Sequence, residues 1–441
     1  MNNKPDQNAN LTVGVCDLNG VLRGKRITPE QRQKALDGGI RMPLSTCSPD
    51  IWGNDLGGNK MVMETGDSDG ICRPTGRGFM AQQWLGERAE FLPITMNWED
   101  GRPYEGDPRR ALENVVARYG ERGWTPVVAS ELEFYLVDPQ YDTPEPPSAP
   151  LSGKRLKANN VLAIDDLDLT SAFFDEVYAV CKNLNIPADA TISEGGAGQF
   201  EINLLHGNAP MKAADDALYF KRLVKGIARK HGMAATFMAK PYLDKSGNGF
   251  HVHFSVLDED GNNIFDNGST EGSDLMQFAV GGLLAAMSES TLIFAPHFNS
   301  YRRFAHESHA PTAICWGYEN RTAAIRIPGG PTVAKRIEHR VSGADINPYL
   351  VIAAILGSAL YGIENSLKPA NPESGNAYQG NYARIPNTWP KAISAFENAQ
   401  ILPEIYSPLL MENFRACKQQ ELNKFFEEIT EREIETYLDT V

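Results

Sequence analysis

The alternation of apolar and polar positions divides the chain into a strand-rich first part and a mixed remainder. Residues 11–18 and 21–27 alternate with period two around the dipeptide Asn19-Gly20, and this pattern predicts a β-hairpin. After residue 105, strand patterns alternate irregularly with helical ones. These later strand patterns cover residues 127–136, 190–205, 249–257, 321–327 and 338–341. The order predicts an α+β protein rather than a regular βαβ repeat.

Turn-forming residues are dense between 99 and 108, and this stretch is the best candidate for a linker. We therefore predict two domains, residues 1–104 and residues 105–441. Asp107 followed by Pro108 predicts the start of a helix just after the linker. The apolar stripe of this helix would consist of Leu112, Val115, Val116 and Tyr119.

Three other segments have apolar residues that predict helices. Residues 172–184 and 422–438 have helical spacing. The apolar run 350–363 is shorter than the ~20 residues that span a bilayer, so it predicts a buried core helix. The N-terminal residues 1–10 are polar and lack the apolar core of a signal peptide. These features predict a cytoplasmic protein without a membrane partner.

Composition narrows the classes of function. The formal net charge of -14 argues against a general nucleic-acid-binding protein, which would carry a basic stripe. The six cysteines include no C-x-x-C pair, so we expect free thiols rather than a zinc site or a disulfide framework. The chain also lacks a Walker loop and a dinucleotide-binding G-x-G-x-x-G after a strand. If ATP is used, it is bound in another way.

Two pairs of carboxylates stand out as possible cation ligands. Glu131 and Glu133 share one face of the strand predicted at 127–136, since side chains alternate with period two. Charge on an exposed strand face is common, so the pair alone is a weak signal. Glu194 and Glu201 flank a glycine-rich loop whose backbone can approach a ligand closely. A solvent-exposed hairpin would explain the loop equally well.

Histidines and arginines form the remaining candidate chemistry. After the turn at 247–249, His251, His253 and Ser255 share one strand face. A single histidine there would more often be structural, but two in register strengthen the case for contact with a metal or a phosphate, and both readings stay open. Arginines cluster at 302–303, 321–326 and 336–340. Within apolar strands they need anionic partners, which are either core carboxylates or the phosphate and carboxylate groups of ligands.

Taken in chain order, these segments resemble the glutamine synthetase superfamily from about residue 12 to the C terminus. The matching segments are E-L-E-F, E-G-G-A-G-Q-F-E, G-N-G-F-H-V-H-F-S, N-S-Y-R-R-F, N-R-T-A-A-I-R-I-P and R-I-E-H-R followed by N-P-Y-L. Within the superfamily, N-S-Y-R-R-F and the early C-D-L-N-G-V-L-R-G-K-R-I resemble the γ-glutamylpolyamine (γ-glutamylputrescine) synthetase branch. The resemblance implies an N-terminal β-grasp domain and a catalytic domain whose antiparallel strands form a funnel. It also implies a homo-oligomer, a dodecamer of two hexameric rings with active sites between neighbouring subunits.

The resemblance further implies a role for each matched residue. One Mg²⁺ or Mn²⁺ would be held by Glu133, Glu194 and Glu201, and the other by Glu131, His251 and Glu338. Contacts with ATP fall on His253, Ser255 and Arg326. Contacts with glutamate fall on Arg303, through the α-carboxylate, and on the backbone of Gly247. The transferring phosphoryl group would be stabilised by Arg321 and Arg340.

The chain departs from glutamine synthetases proper at the ammonium site. Their flap glutamate is replaced by His309, and residues 42–46 read M-P-L-S-T where the family has D-G-S-S. Asp69 matches a second family aspartate near the subunit boundary. With two carboxylates gone, the expected acceptor is an organic amine, either a polyamine such as putrescine or a short alkyl monoamine. A neutral His309 would accept a proton from the amine or close the flap, unless it is an ordinary loop histidine.

Other functions remain open at this point. The same machinery could make glutamine or γ-glutamylmethylamide. A non-catalytic, ring-forming homologue need not keep six metal ligands and their arginines, yet all are present here. A metal-dependent hydrolase would explain the carboxylates and histidines but not the arginines. The sequence therefore favours an ATP-dependent carbon–nitrogen ligase acting on glutamate and an amine.

Overall fold

A computed structural model describes residues 9–57, 66–157, 161–305 and 310–441. The first part of the chain forms a six-stranded sheet in the order β2-β1-β6-β4-β3, with β5 also paired to β6. The strands are β1 Asn10–Cys16, β2 Leu22–Ile27, β3 Ile40–Pro43, β4 Asp69–Pro74, β5 Met80–Ala81 and β6 Ala89–Asn97. The predicted hairpin is confirmed, because Leu11 lies opposite Ile27 and Cys16 opposite Leu22. A short helix, α1 Arg32–Leu36, packs against β4.

The second sheet has eight strands in the order β12-β13-β14-β11-β7-β9-β8, with β10 also paired to β7. The strands are β7 Thr125–Val137, β8 Ala188–Ser193, β9 Gln199–Gly207, β10 Ala234–Thr236, β11 Phe250–Leu257, β12 Trp316–Tyr318, β13 Ile325–Ile327 and β14 Ile337–His339. All neighbours are antiparallel except β12 and β13. The central strands β7, β9, β11 and β14 bring distant parts of the chain into one surface.

Helices surround this second sheet. They are α2 Pro108–Gly120, α3 Ile164–Leu169, α4 Ser171–Asn183, α5 Pro210–Lys230, α6 Asp274–Ala285, α7 Met287–Phe294, α8 Pro348–Glu364, α9 Trp389–Glu397, α10 Pro408–Glu427 and α11 Glu431–Tyr437. As predicted, α8 is an almost completely buried core helix, and it packs against α6 and α2. The side chain of Asp107 caps α2 by accepting a hydrogen bond from the Arg109 backbone N–H at 2.9 Å. The α+β class predicted from the sequence is confirmed.

No single helix within the described ranges is long and apolar enough to cross a membrane. By length and composition α6 and α7 pass that test only as a pair, and the pair is bent by 71°.

Three predicted elements are corrected by the structure. The strand predicted at 190–205 is two strands, β8 and β9, because the glycine-rich loop interrupts it. The strand predicted at 321–327 begins only at Ile325, after a turn in which Glu319 has φ +54°. The closing helix predicted at 422–438 is divided between α10 and α11, since Glu428 is extended and Thr430 caps a new helix. The domain boundary at residue 105 stays a prediction, although the first sheet ends at Asn97 and the second starts at Thr125.

Candidate active site

Acidic and imidazole side chains form a row across one face of the second sheet. Residues in register on antiparallel strands project from the same face, so the strand pairing decides which side chains meet. The cross-strand pairs are Glu133 with Glu201, Glu131 with His251, and Glu338 with His253 and with Arg326. Glu194 lies in the loop just before β9. We call these seven acidic and imidazole residues the acidic row: Glu131, Glu133, Glu194, Glu201, His251, His253 and Glu338.

Glu131 lies at the centre of the acidic row and is hydrogen-bonded to two histidines. The Nδ1 of His251 and the Nε2 of His253 are each 2.9 Å from one of its two carboxylate oxygens. Burial favours the neutral carboxyl, but these hydrogen bonds outweigh it and hold the pKa of Glu131 well below its usual range. Glu131 is therefore an anion that orients both imidazoles.

Glu338 is fully buried and is paired with two arginines. Arg326 donates from Nη1 to one carboxylate oxygen at 2.8 Å, and Arg340 donates from Nη1 to the other. Burial opposes ionisation, but the charge of Arg340 lowers the pKa of Glu338 below its usual value. Glu338 and Arg340, two residues apart in the chain, therefore meet on one face.

The other end of the acidic row carries an excess of negative charge. Burial and repulsion from Glu133 raise the pKa of Glu194 to about 7. Burial and the neighbouring Glu131 and Glu133 also raise the pKa of Glu201 well above its usual value. Carboxylates placed so close together favour a cation, because only a positive charge allows all of them to ionise.

The donor atoms of the acidic row fit divalent cations. One atom each from Glu131, Glu201 and His251 lie within 4.8 Å of one another, and the same holds for Glu131, His253 and Glu338. Carboxylate oxygens are ligands for both Mg²⁺ and Mn²⁺, and an imidazole nitrogen suits Mn²⁺ better than the harder Mg²⁺. The grouping differs from the predicted sets in two ways. His253, predicted to contact ATP, lies with Glu131 and Glu338 in place of His251, and Glu201 lies with Glu131 and His251 instead of with Glu133 and Glu194. All six predicted metal ligands nevertheless lie in the acidic row.

The free energy of unfolding of the metal-free protein should depend on pH, because the acidic row concentrates carboxylates such as Glu194. The pKa of Glu194 is about 7 in the folded chain and 4.5 ordinarily, so between these values the folded state binds more protons than the unfolded state. Stability should therefore fall as the pH rises through this window, and a bound cation should offset the loss. We expect MgCl₂ to raise the melting temperature over EDTA more at pH 7.5 than at pH 5. An equal rise at both pH values would contradict this.

Two cavities are lined in part by members of the acidic row. The larger one has a volume of about 610 Å³ and is lined by Glu131 and His253 together with the predicted ATP contact Ser255. The smaller one has a volume of about 190 Å³ and is lined by Glu133 and Glu194 together with the predicted glutamate contacts Gly247 and Arg303. Glu131 and Glu133 are two residues apart on β7, so the two cavities border neighbouring members of the acidic row.

Arg303 borders the smaller cavity and is held against two glycines. It is buried, and its Nη1 donates to the Val341 carbonyl oxygen at 2.6 Å. A Cβ on Gly247 would lie 2.9 Å from Arg303 Cγ, and one on Gly249 would lie 3.0 Å from Nη2. Glycine at both positions lets the backbone approach the guanidinium. The Gly249 N–H donates to Glu133 Oε2 at 2.7 Å, which fixes that carboxylate as well.

Some residues that shape the site were not singled out by sequence reasoning. Gln199 is buried and donates from Nε2 to the Gly247 carbonyl oxygen at 3.0 Å and to Asn248 Oδ1 at 3.2 Å. Its Oε1 accepts from the Gly196 N–H at 3.0 Å. Gln199 thus joins the two glycine-rich loops. It was visible only as the polar residue of G-Q-F-E, and nothing in its spacing indicated which loop it would meet.

Asp345 is a second such residue, and it lies near Arg303. Burial lowers the pKa of Arg303, whereas the charges of Glu133 and Asp345 oppose that shift. Asp345 itself accepts a hydrogen bond from Ser300 Oγ at 2.6 Å. Its position in the A-D-I-N-P-Y segment gave no signal of this proximity.

Two of the predicted catalytic residues, Arg321 and Asp69, lie outside the contacts of the acidic row. Arg321 is exposed, and its charge acts on Glu194 against the larger effects of burial and Glu133. Asp69 is exposed at the start of β4 in the first sheet and lines neither of the two cavities. His309 lies outside the described residues. Their catalytic roles therefore stay predictions.

The comparisons with known proteins agree on a family. The profile described as glutamine synthetase, catalytic domain, matches residues 105–437. The chain therefore belongs to the glutamine synthetase family, and it is a carbon–nitrogen ligase of that family, whose members use ATP and a divalent metal.

Three relatives that join glutamate to an amine match nearly the whole chain. Gamma-glutamylputrescine synthetase PuuA of Escherichia coli K12 is 38% identical over 97% of this chain and 91% of its own length. Gamma-glutamylethanolamide synthetase GlnA4 of Streptomyces coelicolor is 34% identical over 96% of this chain and 91% of its own. Glutamate–isopropylamine ligase of a Pseudomonas species is 32% identical over 98% of this chain and 95% of its own length. Each is named for joining glutamate to an organic amine.

Solved structures give the same fold. GmaS without ligand superimposes with a TM-score of 0.85 at 26% identity and covers 98% of each chain. A GmaS/ADP complex superimposes equally well, with a TM-score of 0.85 at 25% identity. The predicted glutamine synthetase-like fold is thereby confirmed.

Proposed function

We propose that this protein joins the γ-carboxylate of glutamate to an organic amine while ATP is converted to ADP and phosphate. The observation that carries the proposal is the acidic row between two cavities of unequal size. The larger cavity suits a nucleotide, and the smaller one, with Arg303 in its wall, suits an amino acid. A phosphoryl group from the first can then meet a carboxylate from the second at the acidic row.

The chemistry has two steps. A γ-carboxylate oxygen of glutamate attacks the γ-phosphorus of ATP, ADP leaves, and γ-glutamyl phosphate forms. The amine nitrogen then attacks the γ-carbonyl carbon, loses a proton, and displaces inorganic phosphate. Phosphoryl transfer depends on positioning and charge neutralisation, so the chain needs no covalent nucleophile.

The residues of the acidic row would hold two divalent cations, and the cations supply neutralisation of the phosphate charge when bound. The chain's own groups contribute orientation. Glu131 fixes both histidines, and Arg303 fixes the α-carboxylate of glutamate through its planar fork. Arg340 is held by Glu338 beside the place where the phosphoryl group crosses, and Arg321 approaches from the solvent side. Mg²⁺ and Mn²⁺ are both compatible with this donor set.

The acceptor we propose is an organic amine, either a polyamine such as putrescine or a short alkyl monoamine. Three relatives between 32% and 38% identical are named for such amines, which supports the proposal. So does the loss of D-G-S-S and of the flap glutamate, which is His309 here. Synthesis of γ-glutamylmethylamide or of glutamine is the alternative, since relatives at 29% and 27% identity are named glutamine synthetases.

A phosphate-release assay tests the proposed function. The protein is incubated with ATP, Mg²⁺ and glutamate, and with putrescine, ethanolamine, isopropylamine, methylamine or ammonium. We expect phosphate and the matching γ-glutamyl amide to appear together with at least one organic amine, at a higher kcat/KM than with ammonium. Turnover with ammonium alone would favour glutamine synthesis, and no amine-dependent phosphate release would reject ligation.

We further propose a cytoplasmic homo-oligomer of two stacked hexameric rings. Asp69 supports a shared site, because it is exposed on the first sheet and is not among the lining residues of either cavity of its own chain. In this proposal Asp69 completes the acidic row of a neighbouring subunit.

Complementation between two inactive variants tests the shared site. Asp69→Asn and Glu201→Gln should each be inactive alone. Co-expressed at equal amounts, about one quarter of the sites in a closed ring would carry both native residues, so activity should return to about that fraction. Doubly tagged hybrids isolated on two columns and assayed with an alkyl amine provide the measurement. Hybrids without recovered activity, or an active monomer in light scattering, would contradict the shared site.

A further inference from the structure

The described lining of the smaller cavity combines charged side chains, Ser246 and two glycines with a few apolar groups. Its carboxylates are Glu133 and Glu194, and its cation is Arg303. Among the described residues, Val161 and Ala310 are the two apolar side chains in its lining. Val161 is 59% exposed, so its methyl groups face solvent at this point instead of packing into the core. An exposed apolar side chain at the mouth of a polar cavity is available for contact with a ligand.

The position of Val161 is fixed by the backbone beside it. The Leu162 N–H donates to the Ser193 carbonyl oxygen at 2.8 Å, directly before Glu194. A turn with Leu162 at φ +63° carries the chain past this point. A Cβ on Gly195 would lie 3.7 Å from Val161 Cγ2. Val161 is therefore attached to the loop that carries Glu194.

This position distinguishes the two ends of the smaller cavity. Arg303, the proposed partner of the α-carboxylate, packs against Gly247. A glutamate bound there by its α-carboxylate would direct its γ-carboxylate towards the acidic row, where Glu194 lies. The acceptor attacks the γ-carbonyl carbon, so its alkyl group arrives on the side of the cavity that Val161 lines.

We infer that Val161 is a specificity-determining residue that favours an alkyl amine by contact with its carbon chain. The inference rests on the proposed function. Among the described residues that line this cavity, both carboxylates are members of the acidic row, and an ammonium ion has no carbon chain to place against Val161. An alkyl group, in contrast, removes apolar surface from water against Val161.

Val161→Thr tests the inference, because threonine has nearly the same shape and replaces one methyl with a hydroxyl. We expect kcat/KM for isopropylamine relative to ammonium to fall about tenfold, the scale of one lost apolar contact in a specificity pocket. The KM values for ATP and glutamate should not change. Val161→Phe should narrow the cavity, so it should raise the KM for isopropylamine more than that for methylamine.

Ile164→Thr is the matched control. Ile164 is a β-branched residue three positions further on, is 71% exposed, and is not part of the cavity lining. Its substitution should leave the ratio of amines unchanged, and thermal melting should show both variants folded. If the native protein uses alkyl amines and Val161→Thr keeps the native ratio, the inference is overturned while the proposed function stands. If the native protein uses no organic amine, the proposed function fails, and the inference fails with it.

Discussion

Substituting Glu201→Gln should lower kcat by at least about a thousandfold, the scale on which removing one preorganised charged group acts on a charged transition state. Glu201 lies opposite Glu133 in the second sheet, is 7% exposed, and shares a possible metal site with Glu131 and His251. Glutamine keeps the shape but removes the anionic oxygen. Steady-state phosphate release with saturating substrates provides the measurement.

The same substitution separates catalysis from folding. Because burial and the neighbouring carboxylates raise the pKa of Glu201, its ionised form is costly in the metal-free protein. The glutamine variant should therefore melt at the same temperature as the native protein in EDTA, or higher, and should gain less from Mg²⁺. Glu176→Gln is the control, since Glu176 pairs with Lys230 and His231 outside both cavities and should keep near-native activity. Near-native turnover of Glu201→Gln would remove it from the metal site.

Substituting Arg303→Lys should raise the KM for glutamate by about 30- to 100-fold, the scale of one charge-assisted bidentate contact. Lysine keeps the positive charge but loses the planar fork. It would also lose the hydrogen bond from Nη1 that holds the side chain to the Val341 carbonyl oxygen. The KM for ATP should stay within about twofold, because Arg303 lines only the smaller of the two cavities.

The neighbouring Arg302 offers the control for this prediction. It is exposed, its guanidinium lies 5.6 Å from the centre of the Phe298 ring, and it borders a different cavity. Arg302→Lys should leave both KM values near those of the native protein. If Arg303→Lys behaved in the same way, Arg303 would have a structural role only.

Part of the acidic row could be predicted from the sequence, because the two-residue periodicity of a strand depends only on residues that are close together in the chain. Alternation alone places Glu131 with Glu133, and His251 with His253. The glycine-rich loop drew attention to Glu194 and Glu201, and the family resemblance added Glu338. The partners across the sheet depend on register, which joins residues 120 positions apart, as in the contact between Glu131 and His251. Spacing could not show that His253 also bonds to Glu131.

The errors of prediction have equally local causes. Apolar residues on both sides of the glycine-rich loop resemble one strand, so β8 and β9 were merged. The apolar spacing of 422–438 continues through the point where Glu428 is extended, so the break before α11 was missed. Gln199 and Asp345 were missed for another reason, because their function depends on which distant loop lies beside them.

The transfer of oxygen from glutamate to phosphate tests the central claim most directly. With glutamate labelled by ¹⁸O in both γ-carboxylate oxygens, ATP and a competent amine, each turnover through γ-glutamyl phosphate breaks a bond between the γ-carbon and an oxygen. We predict that each phosphate released carries one ¹⁸O atom and that the amide keeps the other. Amide formation with unlabelled phosphate would contradict the γ-glutamyl phosphate intermediate, and with it the account of the acidic row as the place where the two substrates meet.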